Sequence, residues 1–518
     1  MNVVYFGIDA LADCLQLLLD RGCRVVRIYT IPGEGYDRTD RVRQIAEARG
    51  IPVRLRPASS EDLAELAAEG VNLSVTAGYP RKIPITSAFM QVNLHPSPLP
   101  EGRGPWPMPT AILKGADSGV TLHKLSEEFD EGDILLQQVI PTAADETLIT
   151  LSRRIEYAAV GLLDQFLKDP EKIWAEARPQ GPGSWWPEPD DLARTLLPSD
   201  SPETLDRKKR AFAGYGCLIR REGISFETDG RSEKLYFRPL RLEDREEMER
   251  IRLLHRPLLS DFTFALLWSW RKVMKLSVCL GEDFFAVRGP GYFFAPVGDS
   301  ARIAAFLEAA RREGEVVLRF CDQSFRELAA ANFPGAVCYS EENDCDYLIG
   351  REHLLDLPGG ALATRRKDLH HYMHLYPPPV PEPITSENLP EVRALSEHCR
   401  KEGSADGEAE AEALARFSEL GLAGVLVRRG GQPVGFAVCS EKDERTLQGH
   451  FSKCTERVRG GALYVIRACA QIFGYDFLNL EDDMGDSGLR WFKRSLKPEI
   501  LPSFTVVLSG EEGKEQEA

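Results

Sequence analysis

The sequence predicts an α/β chain: a doubly wound parallel-sheet domain followed by two smaller α/β modules in tandem. Three observations lead there. β-rich runs alternate with helical apolar spacing through the first third, a Pro/Gly/Trp-rich stretch follows, and the remainder repeats one order of segments. The chain has 518 residues, 43% hydrophobic and 28% charged. At roughly 150 residues per domain, that is material for about three or four compact units.

Asn2 to Phe6 form a β-rich run closed by Gly7, and Leu11 to Leu19 carry apolar residues at helical spacing. Cys23–Tyr29 reads as a strand, Asp40–Arg49 as a helix and Ile51–Leu55 as a strand. Asn72–Thr76, Gln91–Leu94 and Val120–Leu125 continue the strand series. Strands alternating with helices imply parallel βαβ units. Such sheets bind ligands beyond the carboxyl ends of their strands, where the loops gather.

Two segments stand at such ends. In Gln91-Val-Asn-Leu-His-Pro-Ser-Pro-Leu-Pro100, the two-residue period of a strand puts Asn93 and His95 on one side. The prolines then stop the strand and hold an open loop. A neutral imidazole beside an amide suits acid/base and oxyanion work, although a lone Asn-x-His is commonly structural. In Phe129-Asp-Glu-Gly-Asp-Ile-Leu-Leu136, Asp130 precedes a glycine turn and an apolar strand. Alone, that is an ordinary acidic turn.

Together the two segments carry more. NLHPSPLPEGRGPWP, followed about thirty residues later by GVTLHKLSEEFDEGDILLQQ, resembles the folate-dependent formyltransferases. That family includes methionyl-tRNA formyltransferase, glycinamide ribonucleotide formyltransferase and the sugar N-formyltransferases. The resemblance covers roughly residues 1–235, with the loop Gly78-Tyr-Pro-Arg-Lys-Ile-Pro84. It implies Asn93, His95 and Asp130 as the catalytic group. It also implies Gly78, Tyr79, Pro80, Ser97, Leu99, Arg103, Gly104, Gly132 and Asp133 as positions that bind the formyl donor. The implied reaction is attack of an unprotonated small-molecule amine on the formyl carbon of 10-formyltetrahydrofolate, releasing tetrahydrofolate without a metal. Asn93 would hydrogen-bond the oxyanion, His95 supply the charged or proton-donating partner, and Asp130 bias His95 and help remove the amine proton.

This chain departs from the family pattern twice. Gly7-Ile-Asp-Ala-Leu-Ala12 replaces the family's frequent Gly-Thr-Pro loop, which puts the acceptor side in doubt. The tRNA-acting members carry a full β-barrel after the sheet domain. Here one hairpin is legible, Ile224–Phe237, with Asp229-Gly230 favouring a tight turn. The catalytic domain is therefore assigned to residues 1–178 and a truncated subdomain to 179–235, which weakens initiator tRNA as the acceptor. Pro179–Asp190 reads as a wrapping loop with its tryptophans packed.

Beyond that point a pattern recurs. Arg238-Pro-Leu-Arg-Leu-Glu-Asp244 and Glu382-Pro-Ile-Thr-Ser-Glu-Asn388 each open a helical run, and each run leads to a glycine-turned hairpin, Phe284–Phe294 and Val425–Val438. Two copies of one α/β unit are the economical reading, at 236–378 and 379–510. The acidic tail 511–518 is too short and polar to fold.

The repeated order is also that of the GNAT acyltransferase fold. Leu357-Pro-Gly-Gly-Ala-Leu-Ala-Thr-Arg-Arg-Lys-Asp-Leu-His-His371 and Asn479-Leu-Glu-Asp-Asp-Met-Gly-Asp-Ser-Gly-Leu-Arg-Trp-Phe-Lys-Arg-Ser495 carry a further resemblance. They are similar to the tandem-GNAT domain of phosphatidylglycerol lysyltransferase and its soluble relatives, which take an aminoacyl group from aminoacyl-tRNA. Glu481, Asp482 and Arg490 are candidates for the amine and carbonyl of such a donor. Arg365, Arg366 and Lys367 form a basic cluster suited to phosphate. Helix capping and solvated surface charge are the ordinary alternatives for both sets. Arg457-Val-Arg-Gly-Gly-Ala462 fits R-x-x-G-x-A, the loop that cradles coenzyme A pyrophosphate, so acyl-CoA stays open as the donor. A substrate-presenting module without catalysis is the third reading.

The net charge of -16 repels nucleic acid, which disfavours DNA and requires a local basic patch for any tRNA contact. The 11 cysteines form no CxxC pair or zinc spacing, so reduced thiols and no structural zinc are expected. No basic leader precedes the first apolar run, and no run reaches the ~18 apolar residues of a membrane span. A cytoplasmic chain without an integral membrane segment is expected.

Overall fold

A computed structural model describes residues 1–33, 38–400 and 403–510; the tail at 511–518 lies outside the described residues. The chain divides into two compact units, one of residues 1–219 and 227–233, the other of 220–226 and 234–518.

The first unit is built on a seven-stranded sheet in the order β3-β2-β1-β4-β5-β6-β7. Its strands are β1 (Asn2–Gly7), β2 (Arg24–Tyr29), β3 (Val53–Arg54), β4 (Leu73–Ala77), β5 (Met90–His95), β6 (Ser118–Lys124) and β7 (Ile134–Ile140). β1 to β5 run parallel, whereas β6 and β7 add antiparallel at the far edge. β4 is buried along its whole length and β1 beyond its first residue. A central strand with both faces covered therefore reads as a continuous apolar run rather than an alternation. β3 is shorter than expected, two residues where five were read.

Helices α1 (Ala12–Asp20), α2 (Asp40–Ala48), α3 (Ser60–Ala68), α4 (Pro107–Lys114) and α5 (Leu148–Lys168) accompany the sheet. Thr147 and Thr150 cap α5 reciprocally, satisfying two first-turn amides. Leu151, Ile155, Ala158, Leu162 and Phe166 then recur at three- or four-residue spacing and are buried. In the parallel pair, Ala77 stands opposite Leu94, so the loops after β4 and β5 leave the same sheet edge.

β8 (Cys217–Arg221), β9 (Ile224–Thr228) and β10 (Glu233–Leu235) form a three-stranded sheet. The Asp229 carboxylate accepts from the amides of Arg231 and Ser232 and closes the turn between β9 and β10.

The second unit contains two further seven-stranded sheets of one design. The first runs β11 (Arg238–Pro239), β12 (Ser277–Gly281), β13 (Phe284–Gly289), β14 (Tyr292–Phe294), β15 (Val316–Cys321), then β24 (Phe504–Leu508) and β16 (Val337–Ser340). The second runs β18 (Pro379–Pro383), β19 (Ala423–Arg429), β20 (Gln432–Asp443), β21 (Thr446–Cys454), β22 (Phe477–Asn479), then β17 (Asp346–Gly350) and β23 (Glu499–Leu501). In each, only the fourth and fifth strands pair in parallel. The sixth strand of each sheet comes from the other repeat. A division at 378/379 therefore does not separate the two sheets, because β17 and β24 cross it in opposite directions. Periodicity reports that a segment is a strand, not which strand it joins.

Among the described residues, no helix is long and apolar enough to cross a membrane.

Candidate active site

The first cluster forms at the carboxyl end of β5. Asn93 and His95 share one strand face, as the two-residue period requires. The antiparallel partner β6 places His123 directly opposite Asn93. Asp130 sits in the turn between β6 and β7, in the left-handed region at φ 59°. Aspartate is among the side chains that adopt that region most readily.

His123 is 1% exposed. Burial pushes its imidazole down to about 4, with the neighbouring His95 acting the same way and Asp130 opposing. The ring is thus neutral at ordinary pH. Its Nδ1 donates to the Lys124 carbonyl at 2.8 Å, which leaves Nε2 as an acceptor for Asn93 Nδ2 at 3.0 Å. This network orients the Asn93 amide, whose nitrogen also lies 3.5 Å from Asp130 Oδ1.

Each ring nitrogen of His95 faces an oxygen acceptor. Nε2 lies 2.8 Å from the Gly102 carbonyl and Nδ1 lies 3.3 Å from Asp130 Oδ1. The second carboxylate oxygen of Asp130 accepts from the Gly104 amide at 3.0 Å. Two N–H donors and a carboxylate therefore converge, a set able to stabilise an oxyanion and receive a proton.

Two glycines let the loops close. A Cβ on Gly104, at φ 120°, would lie 2.3 Å from the Trp186 carbonyl, and one on Gly132 would lie 1.8 Å from the Lys124 carbonyl. Backbone approach this close admits only glycine. The segment after Arg178 lies along the loop, with Arg103 N donating to Ser184 O and Trp186 N to Arg103 O. Trp186 is buried as expected, whereas Trp185 is 55% exposed, so only one of the two tryptophans is packed.

Of the other positions read from the first motif, Arg103, Gly104 and Gly132 join this cluster. The Arg103 guanidinium is held by Glu131, by Gln180 and by the Gly181 carbonyl. Asp133 pairs with Lys124 at 3.3 Å. Ser97, Leu99 and Tyr79 are buried and support the loops from within, Ser97 Oγ donating to the Glu101 carbonyl at 2.8 Å. Gly78 takes φ 73° just beyond the Ala77–Leu94 pair, and Pro80 is exposed.

In the second unit, Glu481 Oε1 accepts from Gln448 Nε2 and His450 Nδ1, each at 2.7 Å, and His450 Nε2 lies 2.7 Å from Ser440 Oγ. Nearby, Asp346 accepts from the Ser260 amide and hydroxyl and from Asn479, at 2.7 to 2.8 Å. Burial pushes the Asp482 carboxyl up to about 8, with Asp346 and Glu481 repelling its charge and Lys493 opposing. Asp261 is 7% exposed, and burial raises it well above the carboxylate range. Carboxylates crowded this way favour a cationic ligand.

Arg490 stands apart from Glu481 and Asp482. Its guanidinium makes two 2.8 Å bonds to the buried Asp483, which also accepts from the Tyr347 hydroxyl. The basic triplet does not act as one patch either. Arg365 lies over the Trp491 ring at 4.5 Å, Arg366 donates to the Leu357 and Gly359 carbonyls, and Lys367 is exposed. In the R-x-x-G-x-A segment, a Cβ on Gly460 would lie 2.2 Å from the Asp368 carbonyl, so backbone crowds the start of the helix Gly461–Ile472.

Comparison with known proteins gives two family matches: "Formyl transferase" over residues 35–166, and "Phosphatidylglycerol lysyltransferase, C-terminal" over residues 254–507. A methionyl-tRNA formyltransferase of Halorhodospira halophila is 31% identical over 237 residues, covering 41% of this chain and 73% of the relative. The chain belongs to the formyl transferase family. A second methionyl-tRNA formyltransferase, from Phenylobacterium zucineum, is 34% identical over 31% of this chain and 55% of its own length. The chain spans little more than half the length of several such relatives. Among solved structures, a conserved protein of unknown function from Bacteroides thetaiotaomicron matches at 24% identity and TM-score 0.48, covering 53% of this chain and 99% of its own. A sugar N-formyltransferase from a Shewanella species matches at 20% and 0.37, covering 46% and 96%.

Within the first unit, sequence reasoning missed His123 and Gln180. His123 was legible, since it shares the alternation of β6 as Asn93 and His95 share that of β5. Gln180 carried no signal. In the lysyltransferase-like region it missed Asp261, Asp346, His450 and Asp483.

Proposed function

We propose that the first unit transfers a formyl group from 10-formyltetrahydrofolate to a small-molecule amine. The convergence of Asn93, His95 and Asp130 carries this reading. The residues fit such a donor, since N–H groups and a carboxylate meet between two loops closed by glycine. When bound, the folate supplies an already activated formyl carbon. The unprotonated amine would add to that carbon, and collapse of the adduct would break its bond to the folate nitrogen, which leaves as tetrahydrofolate carrying the proton taken from the amine. Asn93 Nδ2, and a ring N–H of His95 turned from its present acceptor, would donate to the developing oxyanion, and Asp130 would accept the amine proton, directly or through water.

For the second unit, the proposed reaction is transfer of an aminoacyl group from aminoacyl-tRNA, within a tandem-GNAT architecture. The carboxylates of Asp261, Glu481 and Asp482 suit the ammonium of the aminoacyl donor. Acyl-CoA, cradled at residues 457–462, is the alternative donor. Of the basic triplet, Lys367 is exposed for a tRNA phosphate, while Arg365 stacks on Trp491 and Arg366 is engaged with carbonyls.

The formyl reading is tested by incubating the full chain with 10-formyltetrahydrofolate and a panel of amino sugars and aminoacyl amines. Tetrahydrofolate should form with at least one acceptor and be lost in Asp130→Asn. Equal release by wild type and variant would remove the assignment.

A further inference from the structure

The Gln180 side chain lies outside the chemistry above but touches the turn that carries it. Its Nε2 donates to two carbonyls of that turn, Asp130 at 2.9 Å and Gly132 at 2.6 Å. Its Oε1 accepts from Arg103, at 3.0 Å from Nη2 and 3.3 Å from Nε. The residue after Arg103 is Gly104, whose amide binds the Asp130 carboxylate at 3.0 Å. One side chain thus closes a ring: Asp130 carboxylate, Gly104 amide, Arg103, Gln180, and back to the Asp130 carbonyl.

The ring encloses the left-handed residue. Asp130 holds φ 59°, and Gly132 packs its Cα against the Lys124 carbonyl. Aspartate tolerates the left-handed region better than most residues, but the direction of its carboxylate still depends on what holds the turn. Gln180 reaches the turn from a separate segment, anchored by the reciprocal backbone bonds between Arg178 and Ile134, at 2.9 and 2.7 Å.

We infer that Gln180 is a positioning residue: its carboxamide holds the Asp130 turn so that the carboxylate stays against His95. The inference rests on the proposed function for its catalytic consequence, but the clamp itself is a property of the chain. Gln180 touches neither amine nor formyl group; it acts through Asp130.

Three full-length variants test this. Gln180→Met removes the donors and the acceptor. Gln180→Glu keeps an acceptor for Arg103 and removes both donors. Ser184→Ala is a control, cutting the ties to Glu101 and the Gly102 amide in the same segment while leaving Asp130 alone. Formyl transfer is measured as kcat and KM for the formyl donor, and hydrogen exchange by mass spectrometry follows the peptide containing Gly104. Both Gln180 variants should lower kcat by roughly tenfold or more, leave KM within about threefold and speed exchange at Gly104, whereas Ser184→Ala stays close to wild type. A wild-type kcat in Gln180→Met would overturn the inference. So would full activity in Gln180→Glu, since the Arg103 contact would then matter rather than the donors. If wild type transfers no formyl group, the proposed function fails and exchange decides the clamp: faster exchange in Gln180→Met supports it, and unchanged exchange overturns it.

Discussion

The Asn93 amide nitrogen lies 3.0 Å from His123 Nε2, and the two residues stand directly opposite one another on β5 and β6. The orientation of the amide therefore depends on a histidine that stays unprotonated. Burial sets its folded pKa at about 4, below the ~6.5 of the unfolded chain. As pH falls through that window, the unfolded chain takes up a proton that the folded chain refuses. The stability linked to His123 is thus full above pH ~6.5 and is lost as pH falls toward 4, by about 3 kcal/mol in all. Denaturant titration of full-length protein at stepped pH should show this loss for the first unit, and His123→Gln should flatten it. An unchanged slope in the variant would contradict the assignment.

Gly132→Ala should destabilise the first unit by roughly 2–4 kcal/mol, because the new methyl meets a backbone carbonyl that cannot move aside. Gly161→Ala is the internal control. Gly161 lies exposed in α5 with open space around it, and the change should stabilise by about 0.5–1 kcal/mol. Thermal melts of both variants check the pair, and similar shifts would mean that the loops are not closed this tightly.

A chain ending at Pro502 should lose the fold of the second unit. It lacks β24, whose Phe504, Val506 and Leu508 are buried in the first repeat's sheet. At about 1.5–3 kcal/mol per large buried side chain, the loss rivals the whole stability of a domain. Circular dichroism and limited proteolysis of the truncated chain report the outcome. A protease-resistant second unit would contradict the reciprocal exchange.

Asp482→Asn should raise the melting temperature of the second unit at pH 7.5. The folded carboxyl holds its proton to about pH 8, whereas the unfolded one releases it near 3.8. The associated stability is therefore full below ~3.8 and is lost as pH rises toward 8. The same substitution should reduce aminoacyl transfer if Asp482 meets the donor's ammonium. Scanning calorimetry at pH 5 and 7.5 separates the effects, since the stability gain should be markedly larger at the higher pH.

Local periodicity made the first cluster largely legible. Asn93 and His95 are two apart on a strand, and Asp130 announces itself by the glycine turn that follows. What stayed hidden is what local order does not encode. Gln180 acts through backbone carbonyls of a turn fifty residues earlier in the chain. Arg490 looked like a partner of Glu481 and Asp482 by adjacency, yet from the helix Ser487–Ser495 it reaches back to Asp483 in the loop before that helix. β17 and β24 each read as strands, but their exchange between sheets is decided by tertiary pairing.

The most direct test of the central claim is calorimetric titration of the full chain with a stable 10-formyltetrahydrofolate analogue, beside His95→Ala and Asp130→Asn. Saturable one-site binding by wild type, retained in fold but weakened in the variants, is the predicted result. No binding by wild type under any condition would contradict a folate-dependent site at Asn93, His95 and Asp130.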